Sequence, residues 1–90
     1  PKDELFGLTS QSRRCLYSIP SNIAEGAGRD TKPQFSHFLN IALGSSFEFE
    51  TQIIIAKECE FLPEDRFQKT LTEIQYIQNM IIKLKQVYSS

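Results

Sequence analysis

The sequence predicts an all-α fold, an antiparallel up-down helical bundle. Three observations carry that reading. Along three stretches the apolar residues recur every three or four positions, the period of one helix face, and no stretch alternates as a strand would. Short runs containing Gly or Pro separate the stretches, so consecutive helices must turn back on one another as antiparallel neighbours. Ninety residues at 40% hydrophobic content suit one domain, residues 1–90, near the lower size at which a chain buries a core by itself.

The opening residues, PKDELFGL, read as a connector anchored by Leu5, Phe6 and Leu8, with Thr9 or Ser10 as N-cap. A helix over residues 10–27 follows, and Cys15, Leu16, Ile19, Ile23 and Ala27 form its apolar stripe. A second stripe of Arg14, Ser18, Asn22, Glu25 and Arg29 keeps the same spacing and is wholly polar. Pro20 removes the N–H that would bond the Leu16 carbonyl. The apolar stripe keeps phase across it, which predicts a kinked helix and not a break. Gly26 and Gly28 are expected to end that helix.

The second helix announces itself by capping-box spacing between Thr31 and Gln34, with Pro33 in the first turn. It is predicted to reach residue 59, roughly 43 Å at a rise of 1.5 Å per residue. Phe35, Phe38, Leu39, Ala42, Leu43, Phe49, Ile53, Ile54 and Ala56 spread over more than half its girth. His37, Asn40, Gly44, Glu48, Thr51 and Glu58 make the polar remainder. A helix this apolar is covered from more than one side, so the pattern predicts a homo-oligomer or a further helix.

Phe61, Leu62 and Pro63 stop the second helix, and Pro63 opens the third. Glu64 and Asp65 in its first turn suit the positive end of the macrodipole. Phe67, Leu71, Ile74, Ile77, Ile81, Leu84 and Tyr88 then repeat at three and four as a coiled-coil-like seam. Gln68, Thr72, Gln75, Asn79 and Gln86 form the opposite, mostly uncharged face. The result is an up-down-up set that a fourth helix would complete.

Several motifs along this chain resemble one known family. GLTSQSRR, SIPSNIAEGAGR, FLNIALGS and E-x-E-T-Q-x-x-x-A-K are similar to the bacterial four-helix-bundle proteins encoded within intervening sequences of 23S rRNA genes, also labelled S23 ribosomal protein-like. The resemblance implies a four-helix bundle often assembled as a homopentamer. It also implies a helix preceding the position of Pro1, so that this chain lacks the family's first helix. A related branch, the accessory variability proteins of diversity-generating retroelements, forms pentameric barrels that bind nucleic acid and a reverse transcriptase.

The residues offer little catalytic chemistry. Net charge is −1, so no global basic field invites nucleic acid or an anionic membrane. Cys15 and Cys59 lie far apart in helical patterns and read as reduced, packed residues of a cytoplasmic protein. No apolar run nears the roughly 20 residues of a membrane span. His37 is the sole histidine and no cysteine stands at a ligand spacing from it, which argues against metal, and no cofactor motif is present. G-A-G-R follows a helix instead of a strand, so it reads as a cap and not a phosphate loop. With no paired nucleophile and base, the expectation is a protein that is not an enzyme.

Two clusters remain. Glu50 falls inside the apolar arc of the second helix and needs a partner, expected to be Arg14 or Asn22. Arg14, Asn22, Glu25 and Glu50 are therefore predicted to form a structural polar network between helices or subunits. Separately, the up-down-up arrangement brings Arg29, Lys32, Lys83 and Lys85 to one end, opposed by Glu25 and Asp30. Repeated round a ring, that basic end could hold the phosphate backbone of RNA or DNA. The competing reading is an ordinary solvated end, which the slightly acidic balance favours.

Overall fold

A computed structural model describes residues 2–88 and is all-helical. Helix α1 spans Lys2–Ala27, α2 Lys32–Glu58 and α3 Glu64–Tyr88. α1 and α3 each pack on α2 and do not approach one another. The set measures 46 × 23 × 13 Å, so its thinnest dimension is close to the width of one helix. Among the described residues α2 is thus the one element with neighbours on two sides.

The first helix is longer than the sequence predicts. It begins at Lys2, and the expected connector is its first two turns. Asp3 and Glu4 lie where the macrodipole favours negative charge. Leu8 and Ser12 carry the inward stripe back from Cys15 and Ile19 at spacings of four and three. Thr9 is no cap: its hydroxyl donates to the Leu5 carbonyl at 2.8 Å, from inside the helix. The helix continues through Pro20, as the kept phase predicts.

The two glycines at its end have different roles. Gly28 N–H bonds the carbonyls of Ala24 and Glu25 at 3.2 and 3.3 Å as the helix closes. Gly26 is still helical and buried. A Cβ there would stand 2.7 Å from Phe38 Cβ and 2.8 Å from Phe35 Cδ1, so it is required by close approach of α1 to α2 and not as a stop signal.

The caps of α2 follow local rules. Thr31 Oγ1 accepts from the Gln34 N–H at 3.3 Å, and Pro33 sits in the first turn. At the other end Glu60 N–H bonds the Lys57 carbonyl at 3.0 Å, and Phe61 N–H bonds that of Ala56 at 2.8 Å. That pair of bonds is a Schellman motif, and it puts Glu60 in the left-handed region at φ 62°. Cys59, expected to be packed, is the exposed C-cap of this turn. α3 opens as the sequence predicts, with Phe67 N–H bonding the Pro63 carbonyl at 2.9 Å.

The core is one cluster: Cys15 and Ile19 from α1, Leu39, Ala42, Phe49 and Ile53 from α2, and Phe67, Ile74 and Ile81 from α3. Leu71, Ile77 and Leu84 of the predicted α3 seam are only partly covered. Gln78, absent from that seam, is buried within it.

Candidate functional site: inter-helix polar contacts and outward faces

The polar residues that turn inward meet across helices in separate places. Ser18 and Ser45 hydroxyls lie 2.7 Å apart and tie α1 to α2. Asn22 Nδ2 reinforces this by donating to Ser18 Oγ at 2.9 Å and to the Ser18 carbonyl at 2.8 Å. Gln78 Nε2 donates to Glu50 Oε1 at 2.8 Å and joins α3 to α2. The partner of Glu50 is therefore on α3, and neither Arg14 nor Asn22 of α1 reaches it. The predicted foursome is not brought together: Arg14 is exposed, and Glu25 is engaged on the surface by Arg29.

Cys15 shows why burial matters more than residue type. Its thiol donates to Glu48 Oε2 at 3.6 Å from within the α1–α2 contact. Burial, and then the neighbouring carboxylate, raise its pKa, so the thiol keeps its proton and is a poor nucleophile. Beside it Gln52 buries Oε1 without a hydrogen-bond partner. Among the described residues no group of three or more His, Cys, Asp or Glu is arranged to hold a metal ion. None of the described helices is long and apolar enough to cross a membrane.

The basic end is only partly a cluster. Phe35 and Tyr88 stack edge-on with centroids 4.6 Å apart, which brings the tip of α3 to the start of α2. Arg29 is ion-paired with Glu25 and lies 4.9 Å over the Phe38 ring. Lys32 is exposed in the first turn of α2. Lys83 and Lys85 are two positions apart, so they project about 200° from one another. Lys85 is half-buried and Lys83 exposed. At the opposite end Lys57 bonds Glu64 at 3.3 Å and covers the Phe67 ring at 4.8 Å, pinning the start of α3.

Two outward faces stand out. On α2, Ile41, Phe47, Ile54 and Ile55 are 39–47% exposed, and they flank the polar strip that includes Gly44, Glu48 and Thr51. On α1, Phe6, Thr9, Ser10, Arg13, Arg14 and Tyr17 line a shallow hollow of about 350 Å³. Sequence reasoning passes over this second face because a helix starting at residue 10 cuts Phe6 out of phase. The signal is the 6–10–13–17 spacing.

The family model of the 23S rRNA-intervening sequence protein matches residues 1–83. The chain belongs to that family. The match takes in α1, α2 and most of α3, so both outward faces lie within the part shared with the 23S rRNA-intervening sequence proteins. No curated protein matches the chain.

Proposed function

We propose that this 23S rRNA-intervening sequence protein is a non-enzymatic, homo-oligomeric helical scaffold. One observation carries the reading. α2 already packs against both other helices, yet it leaves Ile41, Phe47, Ile54 and Ile55 exposed on its remaining side, about the polar strip of Gly44, Glu48 and Thr51. Large apolar side chains left exposed together on one face mark a protein contact. The inward polar side chains are already engaged, Ser18 with Ser45 and Gln78 with Glu50 between helices and Asn22 with Ser18 within α1, which leaves them to architecture and not to a substrate. Five copies is the number the family resemblance suggests. Light scattering of the full chain tests the proposal: a mass several times that of one chain is expected, and a stable single chain would sink it.

A second reading, a nucleic-acid-binding accessory protein, is favoured by the Phe35–Tyr88 contact that draws both charged segments to one end. The retroelement branch that the sequence resemblance implies would point the same way. On this reading Arg29, Lys32, Lys83 and Lys85 touch phosphates, and a ring repeats those contacts. Retention of RNA or DNA that weakens with salt, and weakens further with Arg29→Glu and Lys83→Glu, is the expected result. Absence of salt-dependent retention by the wild-type chain would remove it.

A further inference from the structure

We infer that the scaffold assembles by docking the outward face of α1 in one copy onto the outward face of α2 in the next. The inference rests on the self-assembly proposed above and names its two surfaces. Phe6 and Tyr17 are 77% and 69% exposed, and with Ser10 and Arg13 they form a single stripe turned away from the Cys15–Ile19 side. With Arg14 beside it, this exposed face of two aromatics and two arginines has the composition of an interface core.

The face it would meet on α2 is complementary in charge and in shape. Glu48 is exposed at the α1 edge of that face, where its Oε2 accepts from the Cys15 thiol, and among the described residues neither it nor Arg13 or Arg14 is ion-paired within its own chain. Gly44 lies in mid-helix, where glycine is the poorest choice short of proline. At Gly26 the missing side chain is explained by Phe38 and Phe35, but a Cβ on Gly44 would meet nothing within 4 Å. The surface is open there, as it also is at Gly7 on α1, and in the proposed contact an incoming side chain occupies it.

Register decides which residues meet. Ser18 bonds Ser45 across the antiparallel pair, so heights on α1 map onto α2 by counting away from that bond. Tyr17 is level with Ser46, Arg14 with Phe49 and Phe6 with Lys57. Copies related by an axis parallel to the helices stand at equal height. Tyr17 then enters the gap at Gly44 beside Phe47, Arg13 and Arg14 reach Glu48, and Phe6 covers Ile54 or Ile55. Each copy uses a different face toward each neighbour, so the contact is heterologous, and repeated round that axis it closes a ring.

Two variants of the full chain test this by light scattering, with circular dichroism to follow helix content. Gly44→Leu fills the α2 gap, and Arg13→Glu combined with Tyr17→Ala blunts the α1 face. Each alone is expected to keep its helices and run as a single chain. Mixed in equal amounts, they retain one intact face of each kind and should form a two-chain complex and nothing larger. Assembly of either variant alone to the wild-type mass overturns the docking while leaving the scaffold reading intact, as does a mixture that stays single-chain. A wild-type protein of one-chain mass overturns both.

Discussion

The two interfaces of α2 are built from opposite materials. Toward α1 the contact is close and, beside the buried Cys15 and Ile19, uses small and polar groups: Gly26 against Phe38 and Phe35, Ser18 against Ser45, and the Cys15 thiol against Glu48. Toward α3 it is built from bulkier apolar side chains, with Phe67, Ile74 and Ile81 buried, Gln78 bonded to Glu50 among them and Lys57 paired with Glu64 at one end. Close approach needs the absence of side chains, whereas area burial needs their bulk. The first interface should therefore be sensitive to added atoms and the second to removed ones.

The sharpest way to break the contrast is on the apolar side. Ile74 is 2% exposed, and Ile74→Ala should cost about 3 kcal/mol through lost transfer energy and an unfilled cavity. Thermal melting should register this as a drop of more than about 10 °C for a chain of this size. On the close-packed side the reverse substitution is the informative one. Gly26→Ala adds a methyl where Phe38 Cβ would lie 2.7 Å away. Overpacking of about 1–3 kcal/mol should outweigh the gain in helix propensity, and a melting point at or above wild type would contradict that.

Gln78→Leu removes the buried polar side chain that α3 brings to this interface and leaves the Glu50 carboxylate without its donor. Denaturant unfolding should show a loss of about 1 kcal/mol, limited because Glu50 is only half-buried and water can replace the bond. The smallest effect is expected from pH. The native state holds the Cys15 proton more tightly than the unfolded chain does. That contribution is fully present below about pH 8.5, the unperturbed thiol value, and is lost as pH rises through the raised native pKa. The alkaline decline in stability should flatten in Cys15→Ala.

How far the sequence reveals these interfaces depends on the range of the interactions involved. Caps are local, so Thr31 with Gln34 and Pro63 place the start of α2 and of α3 correctly. The start of α1 is hidden because Gly7 and Thr9 look like connector and cap, whereas Asp3, Glu4 and the phase of Leu8 decide the matter. The choice of Gln78 as partner of Glu50 is tertiary: it depends on how α3 slides along α2, which no spacing within either helix records. Gly26 is legible as a glycine near a helix end but not as a packing residue, because the Phe38 it spares lies on the next helix. The outward α1 face becomes readable only once the helix is known to begin at Lys2.

Because α1 and α3 touch α2 and not each other, the order in which the molecule opens follows from its connectivity. Either flanking helix can detach while the other interface persists, but α2 cannot be exposed until both have left. In amide hydrogen exchange its central residues, around Ser45 and Ser46, should be the slowest, reporting global unfolding. Amides of α1 and α3 should exchange earlier through two separate partial openings, and an assembly that covers the free sides of α1 and α2 would slow the first of these and leave the second unchanged.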